Sequence, residues 1–266
     1  MWAILQLAAL VAAQGDALRL TVPDEPGLKR VEVAWDGARI PLARRDGMWV
    51  TLIGVDLDAE PGGHDAVLRL EFDDGTIRMR NETVVVGARD FPTTELTVEP
   101  GYVELSPENQ ARAARESRRI AEIYATATPE MLWSEPFVVP VDGVVGGRNF
   151  GHRRVFNGQP RAPHSGADLR ASTGTPIMAA NRGRVVLAEE LFFSGNAVFV
   201  DHGLGLHTVY LHLSRIDVAP GEHVERGQII GLAGATGRVT GPHLHWGVRI
   251  FDARVDPFTL VDQTGE

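Results

Sequence analysis

Pro242-His243-Leu244-His245-Trp246-Gly247-Val248-Arg249-Ile250 alternates between polar and apolar character along most of its length. In a strand, side chains two apart share a face. His243 and His245 should therefore project together while Leu244 turns into a core. Two other stretches carry a related signal. Tyr210-Leu211-His212-Leu213-Ser214 reads as a strand with Tyr210 and His212 on one face and Leu211 and Leu213 on the other. His164-Ser165-Gly166-Ala167-Asp168 sets a His four residues before an Asp. Each stretch alone is a weak signal. Together they raise a problem of burial, because imidazoles on apolar sheet faces need partners. A metal would satisfy them: a catalytic zinc site typically takes three His, Asp or Glu ligands and keeps a fourth position open for water. One His and one Asp from the last stretch, with one His from the first, meet that count. Two histidines are then left for proton transfer.

The flanking sequence extends the β reading. Strands are expected at Gly183–Ala188, Ala197–Asp201, His207–Leu213, Gln228–Ala233 and Leu244–Ile250, separated by Gly-containing turns. Eight of the nine His lie at or after His152, so the chemistry is concentrated in the second half. His202 should shape an Asp-His-Gly turn. His152, His207 and His223, flanked by polar residues or Gly, should be exposed, and His64 should sit in a Gly-rich turn.

On these residues, 140–258 resembles the lysostaphin-type (LytM-type) zinc metallopeptidases, which cut peptide bonds in bacterial peptidoglycan. The family's His-x-x-x-Asp motif is matched by His164 and Asp168, and its His-x-His motif by His243 and His245. Its strand signature is matched by Val200-Asp201-His202-Gly203 through Thr208-Val209-Tyr210-Leu211-His212-Leu213-Ser214. Its Gly-rich approach is matched by Gly234-Ala235-Thr236-Gly237 through Thr240-Gly241-Pro242-His243. The resemblance implies one Zn²⁺ held by His164, Asp168 and His245, with His212 and His243 as the catalytic pair. It implies a zinc-dependent endopeptidase acting on peptidoglycan stem peptides or cross-links by attack of a metal-activated water. The alternative is a non-hydrolytic, peptidoglycan-binding activator of another cell-wall hydrolase, since some relatives have lost zinc ligands.

The first half is of another kind. Over 16–92, short alternating runs such as Lys29–Trp35 and Val67–Phe72 are punctuated by Asp36-Gly37, Asp46-Gly47 and Asp74-Gly75, pairs suited to tight hairpin turns. This predicts a small Ig-like β-sandwich. A connector over 93–135 follows, with a helix at about 107–125 opened by Ser106 and Pro107 as cap and first residue. Pairs such as Glu108/Arg112 and Arg118/Glu122 should support that helix. The zinc metallopeptidase domain is then 136–266, an antiparallel β domain of the lysostaphin type, and the whole chain is mainly β. Residues 1–15 are apolar and Ala-rich and read as a signal peptide cleaved near Gln14. That implies export to the periplasm or extracellular cell envelope, with no transmembrane segment after cleavage.

Composition removes several rivals. The net charge of −9 is carried entirely by residues 1–135, with 23 acids against 14 bases, while 136–266 holds 12 of each. Neither half offers the basic surplus of a nucleic-acid binder. The Val218–Gln228 turn resembles biotinyl and lipoyl carriers, yet the only lysine is Lys29, so the second half has no acceptor. Gly231–Gly237 lacks a P-loop's Gly-Lys-Ser/Thr ending, and no Gly-x-Ser-x-Gly elbow occurs. An exported chain with no Cys must be stabilised by burial without disulfides.

Overall fold

The computed structural model describes residues 10–143 and 147–265. The first nine residues of the expected leader lie outside the described residues. Of its remainder, Leu10–Ala13 forms a strand running parallel to Val84–Gly87 at the edge of a sheet.

The first half builds two sheets. One has five strands in the order Leu10–Ala13, Ile77–Gly87, Gly62–Phe72, Leu28–Trp35 and Ala38–Pro41. The other orders Ala17–Pro23, Met48–Gly54 and Ala43–Arg45. Alternation explains their shared core. Ala66, Leu68, Leu70 and Phe72 are buried at every second position, and with Val31, Val33, Leu20, Val22 and Ile53 they form one apolar cluster. Both residues of Asp36-Gly37 and of Asp46-Gly47 have positive φ. This suits a two-residue hairpin turn, whose twist matches that of the strands it joins.

The second half is centred on a larger antiparallel sheet. Its order is Gly166–Leu169, Leu244–Ile250, Leu206–Leu213, Gly195–Asp201, Gly183–Leu191 and His223–Val224, with Ala253–Val255 also pairing onto Leu244–Ile250. One face buries Leu169, Val185, Val198, Tyr210, Leu244 and Trp246 in a core shared with Ile177 and Ile230 of a small three-stranded sheet. The opposite face is divided between a helix and the candidate site.

That helix, α1 (Pro107–Ala125), starts where Ser106 Oγ accepts the Asn109 N–H at 3.2 Å. It lays Ile120, Ile123 and the buried Tyr124 over Leu187, Phe199 and Val209. Its charges pair differently from the expectation. Arg112 meets Glu116 at 2.7 Å, and Arg119 reaches across to Glu189 at 2.5 Å. The first pair stays within the helix, one turn on from the expected one, while docking against the sheet recruits Arg119 for a tertiary contact. The stretch before α1 also contributes to the second half, because Thr93–Leu96 pairs in parallel with Arg153–Phe156.

The two halves meet closely. Arg254 donates from Nε to Asp56 at 2.9 Å, and Arg89 bridges Asp16 and Asp256 at 2.8 and 3.4 Å. At Gly54 a Cβ would lie 2.7 Å from that of Ala253, so only glycine allows this approach. Asp256 caps α2 (Pro257–Thr264), and Thr259 on that helix accepts the Ala17 N–H at 2.9 Å.

His207 departs from the expected exposure, and His202, expected to shape a turn, is buried too. His207 is buried at 1% because, like Val209, it lies on the face that α1 covers, with Tyr124 edge-on at 5.7 Å. His202 is fully buried: Nδ1 donates to Arg182 O at 2.8 Å, and Nε2 meets the Thr208 hydroxyl, which also bonds Tyr210. Burial pushes the His202 imidazole down to about 4, against about 6.5 in an unfolded chain. The unfolded state therefore binds the extra proton between those values. Stability present above about pH 6.5 is lost as pH falls through about 4. The melting temperature of the full chain should fall over that window, and His202→Gln, which cannot take the proton, should flatten part of the fall. An unaltered slope in the variant would remove His202 as a source.

Candidate metal centre and active site

Strand register places the first two groups. Asp168 lies directly across from His245, and His245 directly across from Leu211 on its other neighbour. Residues directly opposite in a sheet share a face, so these three side chains form a row. His164 enters two residues before its strand begins, and His243 sits in an isolated bridge opposite Gly234.

Tyr210 does not join the row. It lies opposite Trp246 and is fully buried in the core, with its hydroxyl accepting the Ala180 N–H at 2.7 Å. The expected pairing of Tyr210 with His212 on one face fails because His212 has φ +66. This left-handed residue interrupts the two-residue alternation and brings His212 onto the same side as Leu211. Such a conformation costs of order 1–3 kcal/mol for a side chain of this kind. Two contacts hold it: His212 N–H donates to Ser194 O and Nδ1 donates to Thr236 O, both at 2.9 Å.

All five expected polar groups come together. His164 Nε2, His245 Nδ1 and Asp168 Oδ1 stand 2.9 Å from one another, a triangle of donor atoms. His243 Nε2 is 3.5 Å from the same carboxylate oxygen, and the His212 ring centre is 5.0 Å from that of His243. Backbone carbonyls set three tautomers, since a carbonyl can only accept. Nδ1 of His164 donates to Asn149 O, that of His212 to Thr236 O and that of His243 to Gly241 O. Each leaves Nε2 bare toward the centre. Gly166 is required by the same crowding, for a Cβ there would lie 2.5 Å from Trp246 O and 2.7 Å from His245 Nε2.

Two further residues went unnoticed in the sequence. Asn149 accepts the Asp168 N–H at 2.9 Å through Oδ1 and donates from Nδ2 to Asp168 Oδ2 at 3.0 Å, while its carbonyl orients His164. Arg154 donates to the same Asp168 oxygen at 2.8 Å. A lone Asn fifteen residues before a candidate ligand has no motif spacing, and Arg154 is one of many arginines. The only available signal was their position in the Gly-rich and Arg-rich loop leading to His164.

Burial keeps His164 and His212 neutral, while the Asp168 carboxyl stays charged. Burial pushes His164 down to about 4, despite Asp168, and pushes His212 down to about 3, helped by His245 and His243. Burial alone would raise the Asp168 carboxyl, but the polar contacts gathered on its two oxygens outweigh burial and hold it below the usual carboxylate range. The cluster opens into a cleft of ≈ 330 Å³ whose lining runs from Arg154 to His245. Such an arrangement can hold a divalent cation at the triangle and move a proton through the neighbouring bare nitrogens.

Comparison with known proteins agrees with that chemistry. Residues 162–257 match the model of peptidase family M23. A solved Pseudomonas aeruginosa structure assigned to peptidase M23 superposes with a TM-score of 0.68 at 30% identity, covering 94% of this chain and 95% of that one. The chain belongs to peptidase family M23. The peptidoglycan DD-endopeptidase ShyA of Vibrio cholerae is 48% identical over 99 residues, which are 37% of this chain and 23% of ShyA. The DD-carboxypeptidase/endopeptidase Mpg of Neisseria meningitidis is 41% identical over 103 residues, 39% of this chain and 24% of Mpg. The chain thus spans about a quarter of the length of the curated relatives it matches.

Asn149→Ala removes both side-chain bonds to Asp168. Affinity for added Zn²⁺ should fall about 10–100-fold, the usual worth of a partner that orients a ligand, as measured by competition with a chromophoric chelator. Unchanged affinity would show that Asn149 is dispensable to the centre.

Proposed function

We propose that the chain is a zinc-dependent endopeptidase that hydrolyses D,D-type peptide bonds in bacterial peptidoglycan, working in the cell envelope after export. The observation that carries this reading is the 2.9 Å triangle of His164, Asp168 and His245 beside two spare imidazoles. Relatives named peptidoglycan DD-endopeptidases support the substrate and the bond type. Among the described residues no helix is long and apolar enough to cross a membrane.

The donor set fits zinc. Two neutral imidazoles and one carboxylate, without thiolate, are the ligand types of a catalytic zinc site. With ligands at about 2.0–2.1 Å, a tetrahedral site has edges of about 3.3 Å, so a slight spreading of the triangle accommodates it. Zinc, when bound, lowers the pKa of a coordinated water to about 7 and polarises a carbonyl. The protein supplies the rest. Arg154 and Asn149 keep Asp168 ionised and aimed. His212 and His243 present bare Nε2 atoms able to accept the proton of the attacking water and return it to the leaving amine, or, once protonated, to donate to the oxyanion. A binding-only activator would need neither the triangle nor these two imidazoles, and both are complete.

Chelation should abolish release of peptides from purified peptidoglycan, and re-addition of zinc should restore it. His245→Ala and Asp168→Ala each leave two ligands, so bound zinc and activity should be lost together. His212→Ala keeps three ligands, so zinc should remain while turnover falls about 10²–10⁴-fold. Full activity in a metal-free preparation would end the reading. Zinc lost from His212→Ala but kept by His245→Ala would reverse the assignment of roles.

A further inference from the structure

The cleft beside the triangle holds more positive charge than the triangle uses. Arg154, Arg161 and Arg238 all line it. Arg154 is neutralised by Asp168 at 2.8 Å. Arg161 donates only to uncharged groups, the Val103 and Pro160 carbonyls at 3.2 and 3.4 Å and the Gln159 amide oxygen at 2.7 Å. Arg238 lies with its guanidinium carbon 4.4 Å from the Phe193 ring centre and 4.7 Å from that of Phe156. Among the described residues, neither Arg161 nor Arg238 has a carboxylate within salt-bridge distance, and the Arg238 side chain donates to no protein acceptor. Five N–H donors in a rigid fork are thus held against two aromatic faces in a half-buried cleft.

The position is built rather than incidental. Arg238 N–H donates to Phe193 O at 2.9 Å, and the Thr236 hydroxyl accepts the Asn196 N–H at 2.9 Å. Gly237, with φ +75, packs so tightly that a Cβ would come within 2.3 Å of Gly195 N. The loop that carries Arg238 is therefore locked to the 193–196 turn. Burial, then the neighbouring Arg154 and Arg161, push the Arg238 guanidinium down to about 10, which leaves it charged at neutral pH. Like charges gathered at this cost, with donors left over, fit an anion supplied from outside the chain.

We propose that Arg238, backed by Arg161, is the subsite for a free carboxylate of the substrate peptide next to the bond that is cut. His212 and His245 line the same ≈ 330 Å³ cleft. That volume is at the small end for ligand pockets, so the carboxylate belongs to a residue at or adjacent to the scissile bond. The inference rests on the peptidoglycan reading above and deepens it: the preferred substrate is a cross-linked peptide whose nearby carboxyl is free rather than amidated.

The test uses the full-length, zinc-loaded protein and two probes. One is a soluble cross-linked muropeptide dimer with free carboxyls, and the other is the same dimer after amidation of those carboxyls. The unaltered protein should favour the free-carboxyl dimer about 10–100-fold in kcat/KM, the range of a charge-assisted hydrogen bond. Arg238→Gln should retain zinc and lose the preference. Arg238→Lys should recover part of it. Binding of the two dimers to the zinc-loaded His212→Ala chain, measured calorimetrically, should show the same preference without turnover. Equal kcat/KM for the two dimers, or an undiminished preference in Arg238→Gln, overturns the subsite and leaves the peptidoglycan reading standing. Cleavage of neither dimer overturns both.

Discussion

Asp168, His245 and Leu211 stand side by side because three strands pair in a single register. A shift of one residue on either side of Leu244–Ile250 would turn a whole set of side chains to the opposite face. His245 would then point toward the core that now holds Leu244 and Trp246. The burial of that core is what makes the register expensive to lose, so apolar packing on one face fixes chemistry on the other. Asp168 then becomes the hub. Its two oxygens divide the work: Oδ1 faces His164 and His245, while Oδ2 takes Arg154 and Asn149. Removing an ionised carboxylate from water is costly unless it is paired and hydrogen-bonded, and here the burial is met from both sides.

The β character of the chain and its family membership were legible in the sequence because they rest on local patterns. Leu244–Ile250 is the expected strand to the residue, and helix α1 spans Pro107–Ala125. The convergence of His164, Asp168, His212, His243 and His245 was legible from their motifs. What strand alternation could not show was an exception to itself. His212 adopts φ +66, a conformation with no signature in a sequence of β-branched and apolar neighbours, so Tyr210 was placed on the wrong face. His207 is buried for a different reason. Its immediate neighbours say nothing about α1, which covers it from more than eighty residues upstream.

The remaining omissions share a cause. Thr93–Leu96 finds Arg153–Phe156, and Asp56 finds Arg254, across separations that leave no trace in composition or period. Asn149 escaped because its role depends on three bonds made at once, to the backbone and side chain of Asp168 and to the ring of His164. A residue that organises ligands, rather than being one, carries no spacing rule. Tertiary pairing therefore decides which of many unremarkable polar residues become part of the centre.

Charge was also misleading when averaged. The second half balances to zero, with 12 acids and 12 bases, yet three arginines line its cleft, and of these Arg154 alone pairs with Asp168. The near absence of lysine is consistent with what these positions demand. Arg254 meets Asp56 through two guanidinium nitrogens, and Arg89 spans two carboxylates, geometries that a single ammonium reproduces poorly. The demand is sharper at position 238. Burial and two neighbouring cations lower that guanidinium to about 10. An ammonium starts from a lower ordinary value of about 10.4 and shifts readily when buried. A guanidinium keeps its charge in this place, against two aromatic rings and beside two other cations.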